Sequence, residues 1–321
     1  MKPFLKAMMG FVVAVPFVAG FIGNAYAEHP QAAKFEPPDG KTLLVVGQDN
    51  ATIESYLKES GRPVPAGFML YTNITEFEGL DAPSRDYGSG TMFADALFDK
   101  YPGTVLQLGL YMVDSLADTA KGKNDAAIDH FAAWCKKKRV PTFLRIGYEF
   151  DGSHNHHDPE EYKAAYRHLV DRLRAAGVDN VAYVWHAHAH VVNSPIEKWY
   201  PGDDYVDWVG ISYFSQHQGV MKPAVAFAKA KGKPLMIGEA TPQGQRTSSG
   251  EAAWKAWYKR FFAFVEANDV KMVSYINSNW EAQPMWIGQN WGDARVQANA
   301  FVKNAWAAET SKDRYLHAAD R

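Results

Sequence analysis

Short apolar runs rich in β-formers recur along the chain, separated by helical patterns or longer loops. They fall at Thr42–Gly47, Gly67–Thr72, Thr104–Met112, Thr142–Phe150, Val181–His186, Val206–Phe214, Pro234–Glu239 and Met272–Asn277. Several are apolar almost without interruption, the pattern of parallel strands covered on both faces. The segments between them carry helix signals. Asp158-Pro159-Glu160-Glu161 supplies an N-cap, a first-turn proline and an acid at the third position. Tyr162, Tyr166, Leu169, Val170 and Leu173 follow as one apolar stripe, and Gly177 ends the helix. Ser248 with Glu251 repeats the capping pattern ahead of Trp254, Trp257, Phe261, Phe264 and Val265, a stripe expected to face the core. Strand and helix alternating eight times predicts an α/β fold of the (β/α)₈ TIM-barrel type.

Residues 1–27 stand apart. Lys2 and Lys6 precede an apolar run broken by Pro16 and Gly20, and Ala25-Tyr26-Ala27 matches a signal-peptidase site. Residues 28–321 are expected to form one exported domain, secreted or periplasmic, with no attachment to the membrane after cleavage. The chain has 321 residues, 47% of them hydrophobic and 14% aromatic, which excludes a disordered polymer. Lys+Arg number 34 against 36 Asp+Glu, a balance that argues against a nucleic-acid binder. Cys135 is the single cysteine and lies on a predicted helix, where it reads as packing. A monomer is expected.

In such barrels the chemistry gathers at the C-terminal ends of the strands. The fourth run ends Arg145-Ile146-Gly147-Tyr148-Glu149-Phe150-Asp151-Gly152, and alternation places Arg145, Gly147 and Glu149 on one face. The seventh ends Leu235-Met236-Ile237-Gly238-Glu239. Two glutamates ending strands four and seven face each other across the barrel mouth. A carboxyl pair about 5–5.5 Å apart performs retaining glycoside hydrolysis, one group protonating the leaving oxygen while the other attacks the anomeric carbon. No metal or organic cofactor is needed for that chemistry.

The stretches RIGYEFDG (Arg145–Gly152), YPGDDYVDWVGISYF (Tyr200–Phe214), KPLMIGEA (Lys233–Ala240) and YINSNW (Tyr275–Trp280) resemble glycoside hydrolase family 26 and its relatives in clan A. The resemblance implies a retaining (β/α)₈ enzyme acting on a β-linked polysaccharide: β-mannan, β-1,3-xylan, mixed-linkage glucan or a bacterial exopolysaccharide. It further implies Glu149 as acid/base, Glu239 as nucleophile, Tyr213 as the tyrosine hydrogen-bonded to the nucleophile, and Trp280 as a sugar-stacking aromatic. One position departs: the mannanases carry histidine directly before the acid/base, and this chain carries Tyr148.

Arg145, Tyr148, Asp151, Trp185, His186 and Trp286 complete the expected substrate-binding set, the tryptophans because an indole packs well against a pyranose face. His186, His188 and His190 alternate after the fifth strand, and a His-x-His-x-His run can bind zinc, which leaves a metalloenzyme as one alternative. A non-catalytic polysaccharide-binding protein on the same scaffold is another. His154, His156 and His157 read as a solvated loop with substrate contact open to them, and Asp203, Asp204 and Asp207 as loop structure at the far end of the barrel.

Overall fold

The computed structural model describes residues 32–60, 62–190 and 195–321; the expected leader, residues 1–27, lies outside them. The apolar runs form strands β1 (Thr42–Gly47), β2 (Gly67–Asn73), β3 (Val105–Tyr111), β4 (Thr142–Ile146), β5 (Val181–Ala187), β6 (Trp208–Tyr213), β7 (Leu235–Ala240) and β8 (Met272–Ile276). Each pairs in parallel with the next, and β1 closes the ring between β8 and β2. A two-residue strand, β9 (Tyr315–Leu316), lies beside the start of β1. Residues 32–321 make one compact unit.

The two faces of the strands build two cores. Outward residues pack against the helices in a large aromatic and aliphatic layer. Inward residues, among them Val45, Met69, Phe143, Val184, Trp208 and Met236, fill the barrel. Trp208 plugs its lower part, edge-on to Phe143 at 5.1 Å, and its indole N–H donates to the Lys34 carbonyl. Strict alternation follows along β5 and β6: Ala182, Val184 and His186 point in, as do Trp208, Gly210 and Ser212, while Trp185 and Tyr213 point out.

Two strands depart from regularity at their C-terminal ends. The run expected to continue to Phe150 stops as a strand at Ile146, because Gly147 takes φ +52°. Glu149 follows at φ +55°, a left-handed conformation that costs a non-glycine residue on the order of 1 kcal/mol. In β7 the pairing with β6 jumps from Ile211↔Ile237 to Ser212↔Glu239, a bulge centred on Gly238. The bulge turns Glu239 onto the inward face, where plain alternation from Met236 does not place it.

The helix Pro159–Ala175 forms as expected: Asp158 accepts from the Glu160 and Glu161 amides, and the five stripe residues are all buried. The other capping expectation is corrected. Helix begins at Glu251 with Gly250 as its cap, and Ser248 lies in the preceding short 3₁₀ turn without capping it. A wider π turn, Trp254–Tyr258, with Trp257 buried, then carries the aromatic stripe into Lys259–Ala267, where Phe261, Phe264 and Val265 are buried. Cys135 is buried on the helix Asp125–Lys138, and desolvation pushes its thiol pKa up, which leaves it inert.

Candidate active site

A polar layer caps the apolar filling of the barrel. Its centre is Arg145, fully buried, with room made by glycines: a Cβ at Gly109 would lie 2.6 Å from its Nη2 and one at Gly238 2.9 Å from its Cδ. Arg145 Nη1 donates to Glu239 Oε1 at 2.5 Å and to His186 Nδ1 at 3.1 Å. The guanidinium lies 5.1 Å from the ring centres of both Tyr71 and Tyr148. Because arginine only donates, His186 Nδ1 accepts, and its Nε2–H faces Ser212 Oγ at 3.2 Å. Ser212 Oγ donates in turn to Glu149 Oε1 at 2.5 Å. One chain of hydrogen bonds thus joins Glu239 to Glu149 through Arg145, His186 and Ser212.

The second oxygen of Glu149 meets His154 Nε2 at 3.0 Å. The loop that delivers this histidine is tied to the glutamate itself: Gly152 N–H donates to the Glu149 carbonyl at 2.7 Å, and Asn155 Nδ2 donates to the carbonyls of Tyr148 and Glu149, each at 2.9 Å. Glu149 and Glu239 are 6% and 7% exposed, small openings toward the mouth.

Their electrostatics differ. Burial raises Glu239 to about 7, with the charge of Glu149 adding and Arg145 and a Tyr71 hydrogen bond opposing. Burial also works against ionised Glu149, but the hydrogen bonds from His154 and Ser212 favour it and hold the carboxyl below its ordinary value. Burial drives His186 far below its ordinary value and His188 down to about 4, so both are neutral near pH 7.

The structure brings together Glu149, Glu239, Arg145, Tyr148 and His186, but not all of the expected substrate-binding set. Trp185 is fully buried in the outer layer, stacked on Phe150 at 4.5 Å, with its N–H donating to the Trp199 carbonyl. Since Trp185 and His186 are adjacent on one strand, only one of them faces the barrel. The same parity removes Tyr213 from Glu239: its ring packs among Trp257, Phe261 and Phe264, and its hydroxyl accepts from Gln218. The tyrosine that bonds Glu239 is Tyr71, at the end of β2. His186 is sealed beneath the carboxyls, where it serves the network and has no surface for a ligand. Asp151 accepts from the His188 amide at 2.5 Å and so pins the loop after β5. Trp280 is 2% exposed, donates to Thr241 Oγ1, and forms the base of a tryptophan cluster. Trp286 and Trp291, half-buried, stand about 5 Å from it and from each other.

His186, His188 and His190 do not converge. His188 and His190 stack on one another at 3.7 Å while His186 points into the barrel. Among the described residues no group of three or more His, Cys, Asp or Glu is placed to hold a metal ion. Asp203 pairs with Tyr200 and Lys231, and Asp207 accepts from the Tyr183 amide, both as loop structure below the barrel.

Comparison with known proteins places the chain in a family. The model of glycosyl hydrolase family 26 matches residues 100–280. The chain is 30% identical over 325 residues to the β-1,3-xylanase TXYA of a Vibrio species, spanning 92% of this chain and 70% of that protein. It is 31% identical to a β-1,3-xylanase of an Alcaligenes species, spanning 92% and 69%. Among solved structures, an endo-β-1,4-mannanase of Cellulomonas fimi superposes with a TM-score of 0.63 at 18% identity, over 88% of this chain and 73% of that one. A family 26 β-mannanase of Bacteroides ovatus gives 0.62 at 16% identity, over 88% and 92%, so these two share the barrel. No helix among the described residues is long and apolar enough to cross a membrane. The chain belongs to glycosyl hydrolase family 26 and is a glycoside hydrolase.

Proposed function

We propose that this protein is an exported, retaining endo-β-1,3-xylanase with Glu149 as acid/base and Glu239 as nucleophile. The observation that carries the reading is the pair itself: two buried carboxyls at the barrel mouth, each bound by its own donors and joined through Arg145, His186 and Ser212. Arg145 and Tyr71 favour the ionised form of Glu239, which attacks the anomeric carbon. Protonated Glu149 delivers its proton to the leaving oxygen, and as a carboxylate it then takes one from the water that resolves the glycosyl-enzyme. Trp286 and Trp291 offer aromatic surface to the sugar rings.

β-1,3-Xylan is supported over mannan by the names of the two relatives at 30–31% identity and by Tyr148, where mannanases have histidine. The leader-like residues 1–27 support export. The test is incubation of the purified protein with β-1,3-xylan and with β-1,4-mannan, reading reducing ends and the anomer formed first by proton NMR. Xylo-oligosaccharides released initially as the β-anomer are expected. Release of the α-anomer first contradicts the mechanism, and preference for mannan contradicts the substrate. Binding without any new reducing ends contradicts the hydrolytic reading of the site.

A further inference from the structure

Turnover by a retaining glycosidase needs a neutral Glu149 and an ionised Glu239 together, whereas the surroundings of the pair favour the reverse distribution. Burial holds Glu239 neutral, and the leading group that holds Glu149 ionised is His154. We propose that His154 is a positioning residue for proton delivery: its imidazolium keeps Glu149 ionised in the open cleft and passes it the proton when a glycan covers the pair. This rests on the reading of Glu149 as acid/base.

The geometry is built for that contact. His154 Nε2 is 3.0 Å from Glu149 Oε2, on the oxygen that Ser212 leaves free. A Cβ at residue 152 would collide with His154 Cε1, so glycine at this position is what lets the imidazole lie across the loop. The ring edge rests on His188 at 5.2 Å. With its side chain 50% exposed, His154 exchanges protons with solvent, which buried His186 does not.

The charged and titratable groups around it leave one imidazolium at this spot. On its own loop, Asp151 and Glu149 favour the charged form, and burial lowers His157 to about 4. From β5 and the loop behind it come His186 and His188, both neutral; from β7 comes Glu239, and from β4 Arg145, already paired to Glu239. The bond to Glu149 raises His154 above its ordinary 6.5.

One proton then does two things. Moving from His154 Nε2 to Glu149 Oε2, it turns an ion pair into a neutral pair, the form favoured once substrate displaces water. It also removes the negative charge whose repulsion raises Glu239, so that carboxyl releases its own proton to solvent and Arg145 then keeps the nucleophile ionised. From Glu149 the proton passes to the glycosidic oxygen as the bond to the anomeric carbon breaks and Glu239 forms its ester. In the second step water adds to that carbon, its proton goes to Glu149, and from there it returns to His154.

Imidazole NMR titration of the full chain tests the pairing without substrate. His154, assigned by its loss in His154→Gln, is expected to titrate above 6.5 and to fall back toward that value in Glu149→Gln. The kinetic arm compares kcat/KM against pH on a β-1,3-xylo-oligosaccharide. In His154→Ala the acid limb should move to lower pH by about 2 units, the repulsion expected between carboxylates about 5 Å apart at an effective dielectric of about 20. Gly152→Ala, which displaces the ring, should move it the same way. A purely structural role lowers kcat/KM at every pH and leaves the limbs in place, and that result overturns the proposal. An unshifted His154 in the wild type overturns it as well, whether or not xylan proves to be the substrate. A failure of the hydrolytic reading alone shows instead as no turnover with a raised His154.

Discussion

Replacing Arg145 by methionine keeps most of the side-chain volume and removes the buried cation. In the native protein its Nη1 lies 2.5 Å from Glu239, with no exposure of the arginine. Two unit charges about 4 Å apart at an effective dielectric of about 20 attract by about 4 kcal/mol. Deleting one partner of a buried pair costs about 3–5 kcal/mol, in line with that figure. At about 1.4 kcal/mol per pH unit, Glu239 rises by about 2–3 units from its value of about 7. Its ionised fraction at pH 7 then falls about 50–500-fold, and kcat/KM falls with it, the acid limb moving to about pH 9–10. Stability changes with a definite sign. A carboxyl raised in the folded state binds its proton more tightly there than when unfolded, so its contribution is present below 4.5 and is lost as pH rises to about 7. In Arg145→Met that loss continues above 7, so the difference in Tm from wild type should be small at pH 5 and grow toward pH 9. The assay is kcat/KM against pH, paired with thermal unfolding at the same pH values. A variant within about threefold of wild type at pH 7, with its acid limb in place, refutes the role given to Arg145.

Glu149→Ala should lose about 10³-fold or more on β-1,3-xylan, where the leaving oxygen must be protonated, yet still form the glycosyl-enzyme from a dinitrophenyl glycoside, with azide accelerating turnover. No azide rescue would argue against Glu149 as the acid/base. Trp286→Ala should raise KM about fivefold with little change in kcat, the worth of roughly 1 kcal/mol of aromatic contact, as read by steady-state kinetics. Trp185→Phe should leave KM unchanged and lower stability by about 1–3 kcal/mol in denaturant unfolding, because the indole lies wholly in the outer core. An altered KM with unchanged stability would place Trp185 in the cleft after all.

The barrel was legible because most strand positions are buried on both faces, so several strands appear as nearly continuous apolar runs. Helix Pro159–Ala175 was legible because its cap and stripe are local in sequence. What sequence reasoning missed is set by side-chain direction and by long-range pairing. Counting alternation on through Gly147 extended β4 by four residues, where a glycine at positive φ ends it. Naming both Trp185 and His186, or choosing Tyr213 over Ser212, overlooked that neighbours on a strand point opposite ways; the inward glycine at 210 marks the parity. Glu239 reaches the mouth only through the bulge at Gly238, which no local pattern announces. Tyr71 carried a usable signal, a tyrosine at an inward position near the C-terminal end of β2. His154 meets Glu149 only through the fold of a loop, and its one trace in the sequence is the glycine two residues before it.

The double displacement stands or falls on which side chain carries the sugar. A dinitrophenyl 2-deoxy-2-fluoro-β-xylobioside slows both steps and lets the intermediate accumulate, so peptic digestion and mass spectrometry can locate the label. The account predicts one glycosyl group per chain, on Glu239, absent from Glu239→Gln and released by an acceptor sugar. A label on Glu149, or hydrolysis with no covalent intermediate and inversion of the anomeric centre, would contradict it.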